Sequence, residues 1–305
     1  MNNGTKHLPL VSIAVCTYNG EKYLREQLDS LVFQTYKNLE IIVVDDCSSD
    51  QTISILEKYE NNYASLHYVI NEKNLGYAKN FEKAISLCKG EYIALSDQDD
   101  IWAVDKIEKQ IAEIGNFALI YHDSKCIDEN GKDIYQNLSD VYHLYDGKSS
   151  RPFLFYNSVS GHSMLFTAKL VPLLFPFEKQ FFHDRWIAFI ATERGGIKLL
   201  DEKLVSYRQH QTSITDFLKL KSTIGDKKYY FFNQEVIDWA KKCEQNSENE
   251  KGFYRSFLSC FNSQNKIIKK YKLFYLLLSN LNLVFFMNKK SIISKVNFAR
   301  KLCFN

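Results

Sequence analysis

Proline and glycine are scarce, at 4 and 12 of 305 residues. That composition argues against a collagen-like or disordered chain, and no internal repeat or low-complexity block is present. Cysteine occurs seven times, but without a CxxC pair and in odd number. A disulfide framework or a zinc site is therefore disfavoured, and reduced thiols of a cytoplasmic protein are expected. Acidic residues are missing from one region altogether. After Glu250 there is no Asp or Glu, while eleven Lys and Arg run from Lys251 to Lys301. The net charge of +3 thus hides a net-acidic first part and a strongly basic tail. Such asymmetry suggests an acidic partner surface for the tail.

A long uninterrupted apolar run is also lacking. "YKLFYLLLSNLNLVFFM" (residues 271–287) is broken by Ser279, Asn280 and Asn282 and is barely long enough to span a bilayer. Two readings of the tail follow: an interfacial segment drawn to anionic lipid, which we favour, or a helical subdomain packed on the rest with its charges solvated. A basic tail also suits nucleic acid, but no recognised binding motif accompanies it, so no nucleic-acid partner is expected. The start, "MNNGTKHLPL", lacks a basic stretch followed by an apolar one, which predicts no signal peptide. The dinucleotide fingerprint G-x-G-x-x-G is absent after the first apolar run, where "CTYNGEKYL" stands. This disfavours a nicotinamide or flavin site.

What is present is ordinary globular composition, 45% hydrophobic and 25% charged, with aromatics raised to 14%. Short β-branched runs at residues 11–16, 40–46, 66–70 and 91–96 read as buried strands. Between them lie amphipathic helical stretches, the first with Leu24, Leu28 and Leu31 on one face. Strands alternating with helices predict parallel βαβ units in a doubly wound sheet. Ligands of such sheets bind beyond the carboxyl ends of the strands. Three polar clusters fall there: Thr17-Tyr18-Asn19, Asp45-Asp46 and Asp97-Asp99. From residue 116 to about 216 the pattern is less regular, with strands expected in "FALIYHD", "HSMLFT" and residues 197–200, and a helix near Asp184. From about 217 the chain reads as mostly helical.

If the chain stays extended through "SDQDD", side chains alternate, so Asp97 and Asp99 point one way and Asp100 the other. Two carboxylates on one side could hold a hard cation, Mg²⁺ or Mn²⁺, with positions left for phosphate oxygens. The plainer alternative is a solvated turn that caps a helix. In "FFHDRWIAF", Asp184 is either an N-cap or a general base. "SYRQHQTSIT" places Arg208 and His210 after a strand, where the pair could meet a diphosphate or a metal.

Taken in order, "VSIAVCTYNGEKYLREQLDSLVFQTY", "EIIVVDDCSSDQT", "NEKNLGYAKNFEKAI" and "YIALSDQDDIW" resemble family 2 glycosyltransferases, which have the GT-A nucleotide-diphospho-sugar transferase fold. "GHSMLF", "HDRWIAF" and "YRQHQTSIT" resemble the subgroup around bacterial rhamnosyltransferases of surface polysaccharide synthesis. The resemblance covers residues 10–216. It implies a GT-A catalytic domain over residues 1–216 and a basic, mostly helical extension over 217–305. It also implies roles. Thr17, Tyr18 and Asn19 match the loop against the nucleoside, Asp45 and Asp46 the pair that supplies a base contact, and Asn74 and Gly76 the segment near ribose and phosphates. Asp97 and Asp99 match the metal-binding D-x-D, with Asp97 also near the donor. Asp184 matches the base of inverting members. His210 sits where some members have a further metal or phosphate ligand, and Arg208 is assigned to the donor diphosphate. Gly161, His162 and Ser163, with Trp186, are placed at the acceptor. His162 stands where relatives of the subgroup often have Cys, and Arg185 and Trp186 follow the base where members often carry another aromatic or an acid. The expected partners are a UDP-, dTDP- or GDP-linked sugar, a saccharide or lipid-linked acceptor, and an anionic membrane at the inner face of the cell. A catalytically silent sugar-nucleotide-binding scaffold is the alternative. A nucleotidyltransferase would need a Gly-rich, basic loop where "TYNGEKY" has one glycine.

Overall fold

The computed structural model describes residues 8–210, 234–261 and 265–304. The expected boundary at 216/217 and residues 211–215 of "YRQHQTSIT" lie outside them. The first four apolar runs form β1 (Val11–Thr17), β2 (Leu39–Asp45), β3 (Leu66–Ile70) and β4 (Tyr92–Ser96). They pair in parallel in the order β3-β2-β1-β4. The crossovers are helices α1 (Leu24–Val32), α2 (Thr52–Asn62) and α3 (Tyr77–Leu87). Alternation along the strands sends side chains to two apolar layers. Ile13, Val15, Ile41 and Val43 meet α1, α2 and α4 (Lys106–Glu113) on one face. Ala14, Val44, Ile93 and Leu95 meet α3 and α6 (His183–Glu193) on the other.

Beyond β4 the sheet becomes mixed. A two-residue β5 (Ile101–Trp102) precedes α4, and β6 (Leu119–Ile127), β7 (Asp133–Asn137), β8 (Leu165–Thr167), one-turn α5 (Val171–Leu174), α6 and β9 (Ile197–Arg208) follow. The spatial order is β3-β2-β1-β4-β8-β6-β9-β5, with β7 beside β6. β8 runs antiparallel to β4 and β6, while β9 is parallel to β6. The mostly parallel sheet expected from the sequence holds for the first four strands. It gives way where the chain turns back through β7 and single-turn helices instead of a full helical crossover.

The C-terminal part comprises α7 (Gln234–Asn246), α8 (Lys251–Ser259), α9 (Lys266–Ser279), α10 (Leu281–Val284) and α11 (Ile292–Phe304). It shares one apolar cluster with α6. Trp239, fully buried, donates its indole N–H to the Phe153 carbonyl at 2.9 Å. Glu193, at the last turn of α6, accepts from Ser150 Oγ (2.8 Å), Ser247 Oγ (3.0 Å) and the N–H groups of Glu248 and Asn249 (both 2.9 Å). The apolar stretch 271–287 is divided at Asn280, whose amide donates to the Leu276 carbonyl. Among the described residues no helix is long and apolar enough to cross a membrane. All seven cysteines are free.

Candidate active site

The loops after β1 and β2 are laced together. Asn19 N–H donates to Ser48 Oγ and Gly20 N–H to Thr52 Oγ1, each at 2.8 Å, while Ser49 N–H returns to Asn19 Oδ1 at 2.9 Å. Asn19 takes a positive φ of 48° to do so, a conformation asparagine tolerates. Asp45 is wholly buried, and its carboxylate accepts from Ser48 N–H (2.8 Å), Ser48 Oγ (2.6 Å) and Thr17 Oγ1 (2.8 Å). Asp46 instead fixes the loop before α3. It accepts from Asn71 Nδ2 and from the N–H groups of Leu75 and Gly76, all at 2.8 Å. Gly76 sits at φ 83°, where a side chain would be strained. Asn74 is exposed on that loop, its side-chain Oδ1 accepting from Gly76 N–H at 3.1 Å. Tyr18 is exposed, and its backbone is clamped by Gln98, which accepts from its N–H at 2.7 Å and donates to its carbonyl at 3.1 Å.

The carboxylates at the end of β4 do not alternate as an extended chain would. β4 ends at Ser96 and the backbone bends at Gln98 and Asp99, so the two-residue parity is lost. Asp97 and Asp100 converge instead. With His162 they offer ligand atoms within 4.8 Å of one another. Asp99 turns to the lip, where its Oδ2 lies 2.7 Å from His210 Nε2. The His210 ring packs 5.2 Å from that of Tyr23. Two carboxylate–histidine pairs therefore lie at this bend, an outer one of Asp99 and His210 and an inner one of Asp100 and His162, and among the described residues Asp97 joins the inner one within 4.8 Å. Burial, then the charges of Asp99 and Asp184, push Asp97 up to about 7. Asp100 is fully buried and raised well above the usual carboxylate range by burial and by Asp99 and Asp97. Its Oδ1 accepts the Arg208 N–H at 3.0 Å, and its Oδ2 has no hydrogen-bond partner among the described residues. The cation acting on it is Arg208. Lys106 is also fully buried, and burial, opposed by Asp100, holds it well below the usual lysine range, with Nζ 3.1 Å from the centre of the Trp102 ring.

Asp184 comes to the same edge from α6. Phe182, not Asp184, occupies the N-cap position, and no side chain caps the helix. The Asp184 carboxylate instead accepts the Arg185 N–H at 2.6 Å. Burial pushes it up to about 6, against the opposing pull of the Arg185 N–H and guanidinium and of the Gly161 N–H. A carboxyl held near neutrality is suited to taking a proton at physiological pH.

Four residues expected at the donor or acceptor are buried and held by the protein's own groups. Arg208 is buried and bonds Glu26 (2.6 Å), the Asp99 carbonyl (2.8 Å) and the carbonyls of Asp128 and Glu129. It therefore braces the Asp99 turn rather than facing a diphosphate. His162 is buried, stacked 4.4 Å from Tyr207 and 2.9 Å from Ser124 Oγ. Ser163 is buried too, with Oγ on the Ser160 carbonyl. Trp186 is core, with its N–H on the Leu174 carbonyl. Of the expected acceptor loop, Gly161 reaches Asp184 through its N–H, and His162 reaches Asp97 and Asp100. Three neighbours escaped the sequence reading. Gln98 is the free position of a D-x-D. Tyr77, whose hydroxyl is raised by burial and by Asp184, lies on α3. His183 stacks 4.5 Å from Phe81, with both ring nitrogens lacking a partner among the described residues. Its place beside Asp184 in "HDRW" was the available signal.

Residues 12–166 match the family model described as Glycosyl transferase family 2. The chain belongs to that family. Among its relatives, an uncharacterized glycosyltransferase of Methanocaldococcus jannaschii is 31% identical over 248 residues, 78% of this chain and 82% of that one. The dTDP-rhamnosyl transferase RfbG of Shigella flexneri is 30% identical over 217 residues, 65% of this chain and 72% of that one. The fold of this family 2 member is GT-A, as in two solved transferases. S. aureus TarS 1-349 in complex with UDP-GlcNAc superposes with a TM-score of 0.60 at 21% identity, covering 96% of this chain and 88% of that one. The mannosyltransferase PcManGT of Pyrobaculum calidifontis, in complex with GDP-Man and Mn²⁺, gives 0.56 at 16% identity, covering 98% and 82%. At these identities the structural likeness speaks for the fold alone.

Proposed function

We propose that this family 2 glycosyltransferase moves a sugar, with inversion, from a nucleotide-diphosphate donor to a saccharide or lipid-linked saccharide acceptor of cell-surface polysaccharide. The observation that carries the reading is the meeting of two carboxyl groups from different elements. Asp97 directly follows β4, Asp184 lies in the first turn of α6, and the charge of Asp184 helps to raise Asp97. The loops of Thr17–Asn19 and Asn74–Gly76, braced by Asp45 and Asp46, form the donor side. Asp99 and His210, with Asp97, would hold the divalent cation. They stand at the lip, whereas Asp100 and His162 are buried beside Lys106. A bound Mn²⁺ or Mg²⁺ supplies positive charge where the leaving diphosphate becomes more negative. Asp184 accepts the proton of the acceptor hydroxyl, whose oxygen forms the new bond to the anomeric carbon as the bond to the nucleoside diphosphate breaks. The likeness to a dTDP-rhamnosyl transferase favours a deoxyhexose donor. A lipid-linked acceptor would be met at a membrane surface.

The test is nucleoside-diphosphate release from UDP-, dTDP- and GDP-sugars with Mn²⁺ or Mg²⁺, on wild type and Asp99→Asn. Release from one carrier, lost with EDTA and in Asp99→Asn, is expected. Wild type that neither releases nor binds any of the nucleotides would refute the reading in favour of a scaffold.

A further inference from the structure

Helix α9 has two apolar stripes. Leu273 and Leu277 face the core and are buried. Ile267, Ile268, Tyr271 and Tyr275 are exposed, at 66, 47, 62 and 74%. At about 100° per residue these four fall within an arc of roughly 100°, centred about 150° from the buried leucines. The outer stripe therefore points away from the core. On the same wheel Lys270 and Lys272, both exposed, border the stripe on either side. Helix α11 packs against α9 through Phe304, whose ring lies 5.1 Å from Tyr271 and 5.5 Å from Phe274. It begins with two more exposed residues, Ile292 and Ile293, just after exposed Lys289 and Lys290. A solvated helical subdomain has no need of isoleucine and tyrosine on its outer face, and scattered single apolar residues would not line up.

We propose that the outer stripe of α9, with the start of α11, is a docking surface for an anionic lipid bilayer. Charge selects that occupant. The chain carries no acidic residue after Glu250, so the lysines around the stripe have no acidic neighbour within their own region of sequence. Isoleucines insert among acyl chains, and tyrosine rings sit at the headgroup level with their hydroxyls wet. No described helix is long enough to span the membrane, so the mode is interfacial. The inference deepens the proposed function by giving a lipid-linked acceptor its meeting place. Its test needs no turnover, so either can fail alone.

Full-length protein is mixed with phosphatidylcholine vesicles, with or without phosphatidylglycerol, and sedimented. Wild type is expected to partition at least tenfold better onto the anionic vesicles, since each surface lysine contributes roughly fivefold, and added salt should weaken the binding. Ile267→Ser/Tyr271→Ser/Tyr275→Ser should lose at least about tenfold of it, with unchanged far-UV circular dichroism and nucleotide binding. Lys270→Gln/Lys272→Gln should lower the preference for anionic vesicles. Equal partition of wild type and both variants, or no binding of wild type to either vesicle, overturns the proposal. So does a wild-type dimer in light scattering, without lipid, that the triple variant dissociates, because the stripe would then belong to a second copy.

Discussion

Replacing Asp184 by Asn separates the role of a base from the role of a structural group. The amide is nearly isosteric, and its carbonyl can still accept the Arg185 N–H that the carboxylate accepts at 2.6 Å. The fold is therefore expected to persist. A positioned general base contributes about 10²–10⁴ in rate, so turnover should fall by that factor while donor binding changes little. The wild-type pH profile follows from the same group. With Asp184 pushed up to about 6, roughly nine-tenths is ionised at pH 7 and roughly a tenth at pH 5. Turnover should therefore drop about tenfold per unit below pH 6. Stability moves the other way. A carboxyl whose folded pKa lies above its unfolded value favours folding only while protonated, and that advantage is lost as pH rises through about 6. The Asn variant has no such loss, so its Tm at pH 8 should equal or exceed that of wild type. Donor-sugar turnover across pH 5–8, with thermal melts of both proteins, measures all three. Turnover within tenfold of wild type, or a flat wild-type profile across pH 5–7, would refute the assignment.

Other perturbations act on the supports of the site. A Cβ at Gly20 would lie 2.4 Å from Gln98 Oε1, so Gly20→Ala should displace that side chain and release the Tyr18 backbone. Donor KM is expected to rise severalfold with kcat nearly unchanged, and a fall in kcat alone would contradict this. Glu193→Ala leaves the N–H groups of Glu248 and Asn249 without an acceptor. Urea melts should show a loss of about 2–4 kcal/mol, with Glu193→Gln losing less. Trp239→Ala removes a wholly buried indole from the contact between α7 and the catalytic layer. It should cost about 3–5 kcal/mol, and a loss below 1 kcal/mol would mean that the C-terminal helices add little to the fold.

The strands and helices around the first four strands were legible because their signals are local. β-branched runs filled both faces of the sheet, and Leu24, Leu28 and Leu31 are all buried as their spacing implied. The mixed half was harder to read, because antiparallel β8 is three residues long and enters from an irregular stretch. The same division runs through the candidate site. Strand ends located Thr17, Asp45 and Asp97, since position along a strand fixes the sheet edge. What each side chain touches there was not legible. The bend at Gln98–Asp99 undid the alternation that paired Asp97 with Asp99. Arg208, a free cation on paper, is held by Glu26 and by carbonyls from two loops distant in sequence. His162 and Trp186 could not be told from exposed residues by type, and long-range packing decided both.

Helix α6 carries Asp184 in its first turn and Glu193 in its last. Eleven residues make it a rod about 16 Å long. One end meets the sheet-borne aspartates, and the other is tied to the segment that leads into the C-terminal helices. The proposed proton acceptor and the carboxylates proposed to face the cation thus ride on separate mechanical parts. A tilt of the C-terminal helices would travel along this lever and alter the gap between Asp184 and Asp97, while β4 stays fixed in its sheet. On the proposed reading, the width of the reacting gap would then depend in part on whatever the far end of the molecule rests against.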